Sequence, residues 1–405
     1  MRTLVITEFP PMVKGFAERG NFRRFSLFMG AIREITGHVD ILHLWPNESE
    51  DIARLDSEQS DRFGLAVSTH VVQQRSQPNT LINNYILGSF SAFRQTQYFP
   101  HCGLAQVAKV RQLLGRSPDL VVVHRLAGML PVIRSGLEPK HMFFDLDDLE
   151  HRTRVQSAFE QRTWPRKLAH LAGIPAVIAA ERKAAALSRS TFVCSDLDRS
   201  RLNRLGVHRV TVVQNAVSIP SKVPALPPAP RILFLGFAYY KANADAAERL
   251  VRNILPRVRA SVPHAELILA GKGMQDLPFC RGAPEGVRCL GYVEDLAALY
   301  ASTRLVCCPV THGTGTRMKL IEAGAHGRPM VATRLAAEGL LFRDDCEIFL
   351  REDDDAIAAA CVRLLNDDSL AQRLGSSARR QTELLYNEDI VRRLIVEKLT
   401  GVSES

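Results

Sequence analysis

Residues 309–339 read PVTHGTGTRMKLIEAGAHGRPMVATRLAAEG, and this stretch decides the fold. Ahead of it the apolar run Leu305-Val-Cys-Cys308, bounded by Pro309, predicts a buried strand. Glycines and hydroxyl side chains fill the loop from Thr311 to Thr316, and then Met318, Ile321, Glu322 and Ala325 fall at helical spacing. Gly327-Arg-Pro329 turns the chain into a second apolar strand, Met330-Val-Ala-Thr333. A strand, a small-residue loop and a helix in this order make an anion site. Gly313 and Gly315 let backbone N–H groups approach a ligand, and the helix N-terminus adds partial positive charge. Arg317 and Lys319 at the mouth supply full charges, and Glu322, a turn further in, accepts hydrogen bonds from sugar hydroxyls. Gly313, Thr314, Gly315, Thr316, Arg317, Lys319 and Glu322 therefore suit a diphosphate joined to a sugar, as in a nucleotide sugar.

The same stretch resembles the donor-binding signature of GT-B glycosyltransferases, specifically the large retaining family 4 (group 1). Its elements here are Gly313-Thr-Gly-Thr-Arg-x-Lys319, Glu322, Gly327-x-Pro329-x-Val331-x-Thr333 and Glu338-Gly339. The Gly-Thr-Arg-x-Lys variant is similar to sugar transferases of bacterial exopolysaccharide systems. Upstream, Ile232-Leu-Phe-Leu-Gly236, Asn243-Ala-Asp245, Ile254-Leu-Pro256, Leu267 to Gly273 and Val287 to Val293 match the opening of the same domain. The likeness is firm over 190–340 and loose before it. It departs at Thr314, where many relatives carry the earlier of two glutamates.

The resemblance implies an α/β chain of GT-B type, with two Rossmann-like parallel-sheet domains facing a central cleft. It implies transfer of a sugar, with retention, from a nucleotide diphosphate donor to a hydroxyl acceptor on a glycan or lipid-linked saccharide. No metal and no cofactor beyond that donor substrate are implied. Catalysis falls to His124, Arg317, Lys319 and Glu322. Lys241 joins the phosphate contacts, Glu322 holds the ribose, and backbone near Tyr292 and Val293 faces the base. An epimerase of the same fold, or a non-catalytic partner module, is the alternative, the second supported by Thr314.

The chain divides at Pro220, Pro224, Pro227, Pro228 and Pro230, a stiff linker over 220–230. Before it, apolar runs at 3–7, 39–44, 120–124, 142–145, 191–194 and 210–213 read as strands. After it, runs at 231–235, 266–270, 287–290, 305–308, 330–333 and 347–350 alternate with helices such as 245–262. Alternation in both halves predicts two parallel sheets. The expected domains are 1–219, on the acceptor side, and 231–387, for the donor, with a final helix (388–405) crossing back to the first. In such sheets ligands bind outside the C-terminal strand ends.

Acceptor-side candidates lie in the first half. Lys14 and Gly15 follow the first strand, with Arg19 and Arg23 nearby. His124 ends Leu120-Val-Val-Val-His124 and is similar to a histidine that relatives place against the donor sugar. Asp145, Asp147 and Asp148 end the next strand. Asp145 would position acceptor hydroxyls, and capping of the next helix is the plainer role for the others.

Length and composition fit two globular domains: 405 residues, 46% hydrophobic and 23% charged. The eight cysteines show no metal-ligand spacing and read as buried thiols in a reducing cytoplasm. The N-terminus runs straight into a strand without a leader, and no apolar run reaches membrane-spanning length, so a cytoplasmic protein is expected. The net charge of +9 sits in 151–222, which holds 13 Lys/Arg against 4 Asp/Glu; both flanks are neutral. Trp164, Arg166 and Lys167 there precede an apolar run, which suits an anionic membrane surface or lipid diphosphate and places the protein at the inner membrane face. A core-packing helix with solvated charges is the plainer reading. Nucleic acid is not expected, since no basic motif carries interleaved aromatics.

Overall fold

The computed structural model describes residues 1–10, 20–46, 51–72, 87–161, 163–282 and 284–401. Two units divide the chain, Met1–Gln214 with Arg392–Ser405, and Asn215–Val391. Lys14, Gly15 and Arg19 lie outside the described residues.

The first unit holds a seven-stranded sheet: β1 Thr3–Thr7, β2 His38–Pro46, β3 Ala66–Val72, β4 Leu120–His124, β5 Met142–Asp147, β6 Ser190–Val193 and β7 Val210–Val212. Every neighbouring pair is parallel, and the spatial order is β3-β2-β1-β4-β5-β6-β7. All residues of β1 and β4 are buried, as expected for central strands with both faces covered. The sequence reading lacks β3. Its Ser68, Thr69 and His70 interrupt the apolar pattern, which an edge strand tolerates because it packs against one neighbour only.

The second unit holds a six-stranded sheet: β8 Arg231–Leu235, β9 Glu266–Ala270, β10 Val287–Cys289, β11 Leu305–Cys308, β12 Met330–Ala332 and β13 Phe349–Leu350. It too is all parallel, in the order β10-β9-β8-β11-β12-β13. The helix expected over 245–262 starts earlier, at Lys241, and breaks into Lys241–Arg249, a wide turn Leu250–Ile254 and Leu255–Ser261. Pro256 has no N–H for the regular ladder, and Leu255 N–H reaches back to the Leu250 carbonyl instead.

Chain order reverses between β1 and β4 in one sheet and between β8 and β11 in the other. Loops leaving these strands splay to opposite faces and open a crevice at the carboxyl ends, where α/β sheets hold ligands.

The proline-rich stretch 220–230 is held by side chains of the second unit. Arg328, 1% exposed, donates to the carbonyls of Pro224 and Ala225, and Arg304 Nη1 donates to that of Pro227 at 3.2 Å. Carbonyls around proline find no β-ladder partner, and two buried arginines supply the donors. The helix Glu388–Thr400 starts in the second unit; from Arg392, paired with Glu34 at 2.6 Å, the chain belongs to the first.

Candidate functional site

In the second unit, β11 ends at Cys308 and the loop 309–317 leads into the helix Met318–Ala325. Gly313 (φ 114°) and Gly315 (φ 83°) take backbone conformations that side chains resist. Gly313 is further constrained, since a Cβ there would sit 2.4 Å from Arg317 Nη2. The expected free cation Arg317 is turned inward. Its guanidinium donates to the carbonyls of Thr314 at 2.5 Å, Gly315 at 3.2 Å and His312 at 3.3 Å. The arginine thus ties the loop together while its charge stays at the loop's centre.

Lys319 departs from the sequence reading most. It does not stand at an open mouth but is 9% exposed, its Nζ donating to Asn243 Oδ1 at 2.9 Å and lying 4.1 Å from the centre of the Phe234 ring. Burial pushes its pKa down to about 8, and Arg317 adds to this, against the opposing pull of Cys308 and Glu322. Among the described residues Lys319 enters no salt bridge. Its position is the crevice between β8 and β11, where Phe234 and Gly236 come from β8 and its exit. The neighbouring crossover is equally tight: a Cβ on Gly271 (φ 128°) would lie 2.0 Å from the Gly236 carbonyl oxygen.

Glu322 is 8% exposed and accepts from the Tyr300 hydroxyl at 3.3 Å. Lys241 opens the helix Lys241–Arg249 and pairs in the open with Asp245, which His312 also approaches at 3.5 Å. Tyr292 is exposed and Val293 half-buried just after β10. Arg317, Lys319, Lys241 and the loop glycines therefore share one sheet edge, with Glu322 behind them. Asn243 is the partner that sequence reasoning missed. It lies in a motif carrying the resemblance, but nothing in its spacing ties it to Lys319, 76 positions away.

In the first unit, His124 ends β4 at the other crevice and is 2% exposed. Its Nδ1 lies 2.8 Å from Asp145 Oδ2, while its Nε2 is buried without a hydrogen-bond partner. Phe9 and Phe25 flank the ring at 5.1 and 5.6 Å between centroids. Asp145 is not placed to meet acceptor hydroxyls. It is fully buried, and Arg24, itself 1% exposed, grips it through Nε at 2.8 Å and Nη2 at 2.6 Å. Burial alone would raise the Asp145 pKa, yet Arg24 and His124 outweigh it and hold the carboxyl low. Asp145 thereby fixes the His124 ring, with the Nδ1 hydrogen directed to the carboxylate. Arg24 lies on the helix Gly20–Ile35, in a stretch without a motif to mark it.

Asp147 and Asp148 do not cap the following helix: its N-cap is Leu149, which offers no side-chain bond. With Cys194 they form a trio whose ligand atoms lie within 4.8 Å of one another. Cys194 Sγ donates to Asp147 Oδ1 at 3.1 Å, and Arg24 Nε is 3.5 Å from the same oxygen. Burial drives the Cys194 thiol pKa well up, so it stays protonated. A protonated thiol and a guanidinium suit a hydrogen-bonded lock. Half-buried Asp148 has its pKa raised to about 7 by burial and by Asp147.

Two further expectations are corrected. Cys280 and Cys289 form a disulfide, because the turn Pro278–Cys280 brings its last residue within 6.0 Å (Cα–Cα) of the end of β10. Cys346 is an exposed thiol, while Cys307 and Cys308 are buried as read from the sequence. The basic segment also splits at Gly173. Ile174–Leu187 packs Val177, Ala180, Ala184 and Ala185 inward, but Trp164–Ala172 buries no residue at all. Trp164 is 73% and Leu168 60% exposed, beside Phe159 at 70%. Among the described residues no helix is long and apolar enough to cross a membrane.

Comparison with known proteins gives this geometry a context. Residues 229–367 match the family described as Glycosyl transferases group 1. A phosphatidyl-myo-inositol mannosyltransferase of Mycolicibacterium smegmatis is 34% identical over 198 residues, 46% of this chain and 50% of that protein. The chain spans about half the length of the curated relatives it matches. Sucrose-phosphate synthase of Thermosynechococcus elongatus superposes with a TM-score of 0.71 at 17% identity, covering 99% of this chain and 98% of the other. HepE of Anabaena, solved with UDP and glucose, superposes with a TM-score of 0.64 at 14% identity over 99% of both chains.

Proposed function

We propose, from the match of residues 229–367 to the glycosyl transferases group 1 family and from the likeness to GT-B folds, that the chain transfers a sugar from a nucleoside diphosphate sugar to a hydroxyl acceptor with retention. The observation that carries this is Lys319, a buried ammonium with only a neutral hydrogen-bond partner at the β8/β11 crevice, next to a loop whose two glycines hold positive φ. A diphosphate supplies the charge that this lysine lacks. HepE, of the same fold, is solved with UDP and glucose, which supports a nucleotide-sugar donor here.

In the reaction the bond from the anomeric carbon to the diphosphate breaks, the pair of electrons leaving with the phosphate. The acceptor oxygen bonds to that carbon, and its proton passes to the departing phosphate. The chain's task is to stabilise the developing negative charge and the electron-poor sugar together. Lys319 and the loop N–H groups serve the first, and Arg317 joins them by exchanging loop carbonyls for phosphate oxygens. Lys241, exposed on the next helix, adds charge at the edge. Glu322, with Tyr300, holds the ribose, and backbone at Tyr292 and Val293 meets the base. His124, its ring set by Asp145, contributes Nε2 to the donor sugar. No separate cofactor or metal is called for.

The acceptor is a glycan or lipid-linked saccharide, met at the inner face of a membrane. The exposed Phe159, Trp164 and Leu168 with Arg166 and Lys167 support this reading, since a helix with no buried residue needs another phase for its apolar side chains. A panel of nucleoside diphosphate sugars, scored by nucleoside diphosphate release with and without saccharide acceptors, tests the function. Release that depends on acceptor and yields an α-linked product from an α-donor supports it. An altered sugar still attached to nucleotide, formed without any acceptor, would instead show an epimerase.

A further inference from the structure

We propose that the strand ends of the first sheet hold a neutral saccharide ring, lying against Trp45 and hydrogen-bonded by Glu8, His101 and Arg125. This deepens the acceptor half of the function above and rests on it.

The four residues come from neighbouring places. β2, β1 and β4 are adjacent in the sheet. Trp45 lies near the C-terminal end of β2, Glu8 follows β1, and Arg125 follows β4. His101 closes the turn Phe99–His101, its ring 5.8 Å from that of Trp45. Trp45 is 46% exposed although Ile41, Leu42, His43 and Leu44 before it are buried. A large, half-exposed indole near the strand ends offers its face to the C–H side of a pyranose.

Polar groups around it are incomplete. His101 is 6% exposed and its Nδ1 has no hydrogen-bond partner. Burial lowers its pKa, Glu8 raising and Arg125 lowering it from close by, so the imidazole is neutral and its bare nitrogen accepts a hydroxyl. Arg125 donates to Glu8 at 2.7 Å and to Glu150 at 2.8 Å, while its Nε is buried and unpartnered. Arg125 also holds a left-handed backbone (φ 61°), strain of the kind that persists at binding sites. Tyr98, donating to Glu150 at 3.3 Å, fixes the far carboxylate.

Charge decides the class of ligand. One guanidinium stands between two carboxylates, with Asp148 close enough to bear on the same arginine. A phosphate or a uronate would add negative charge to this cluster. Vicinal hydroxyls suit it, donating to Glu8 and His101 and accepting from Arg125. The group bound here is therefore a neutral hexose or polyol, and any phosphate of a lipid-linked acceptor lies elsewhere.

The chain has two tryptophans, so Trp164→Phe leaves Trp45 as the fluorescent reporter. In that variant, titration with methyl hexosides should give a saturable change in emission, and His101→Ala or Glu8→Gln should weaken it by about tenfold. Glucose 6-phosphate and methyl glucuronide should bind at least tenfold more weakly than the neutral hexosides. A Trp45 signal that ignores neutral hexosides, or that prefers the anionic sugars, overturns the proposal. Melting curves for both variants confirm that the fold is intact, and Trp45→Phe, which keeps an aromatic face, should retain transfer that Trp45→Ala loses. Donor hydrolysis without acceptor is read in parallel. Its absence counts against the transferase function, whereas hydrolysis with a silent Trp45 counts against this subsite alone.

Discussion

Lys319 Nζ and Asn243 Oδ1 lie 2.9 Å apart, so that a buried ammonium is met by a neutral amide oxygen where a carboxylate would have neutralised it. The pairing keeps the lysine in place without cancelling its charge. Such a group is costly to the empty protein and valuable to an anion.

The first prediction follows from the Lys319 pKa, lowered to about 8 from 10.5. Between those values the folded chain binds fewer protons than the unfolded one. Lys319 therefore lowers stability below about pH 8, and the cost fades as pH rises toward 10.5. A bound diphosphate favours the charged form and raises the pKa again. Binding of a nucleoside diphosphate near pH 8.5 should thus take up a fraction of a proton, seen by calorimetry in buffers of different ionisation enthalpy, and affinity should fall at higher pH (about 9 to 10). Binding with no proton uptake would place the diphosphate away from Lys319.

The second concerns Arg317 and Lys319 as a pair. Lys319→Ala should lower transfer by about 10² to 10³ while the fold survives. Arg317→Ala should do the same and also loosen the loop, because three carbonyls lose their donor. Both changes should weaken a nucleoside diphosphate far more than the bare nucleoside. Equal weakening of the two ligands would remove the phosphate assignment.

How far the sequence could go differs between these sheets. Apolar runs marked twelve strands because a buried parallel strand must be apolar on both faces. Only β3 escaped, an edge strand whose polar residues hide the pattern. The loop glycines, Arg317, Lys319 and Glu322 were legible because they lie within ten consecutive residues. Their geometry was not. That Lys319 is buried against Asn243 and Phe234, and that Glu322 meets Tyr300, depends on residues 22 to 85 positions away that no local spacing encodes. Arg24 and Asp145, 121 positions apart, are the same case in the first unit.

The third prediction tests that pair. Breaking a buried ion pair from one side leaves an uncompensated charge, at a cost of about 3 to 5 kcal/mol. Asp145→Asn and Arg24→Met should each destabilise the first unit by this order in chemical denaturation, and the double variant by less than the sum. Because the Asp145 pKa is held low, its contribution is present above the ordinary carboxylate range and is lost only as pH falls through the depressed value. Asp145→Asn should also cut transfer by freeing the His124 ring. Additive energies in the double variant would show that the two residues act separately.

The last prediction concerns the helix Trp164–Ala172. Arg162, the natural third target beside Arg166 and Lys167, lies outside the described residues, so the test uses the other two with the apolar face. The chain should co-sediment with anionic liposomes and not with neutral ones, since each Lys or Arg near such a surface contributes about 1 kcal/mol. Rising salt should release it as the screening length shortens. Arg166→Gln with Lys167→Gln should remove the salt-sensitive part of binding. Trp164→Ser with Leu168→Ser should remove the salt-resistant part, because these side chains are 73% and 60% exposed and supply the apolar contact. None of the four changes touches a buried residue, so melting temperature and nucleotide binding should stay as in the parent. A parent chain that ignores anionic liposomes at low salt, yet transfers efficiently to a soluble acceptor, would leave this helix with another partner than a membrane.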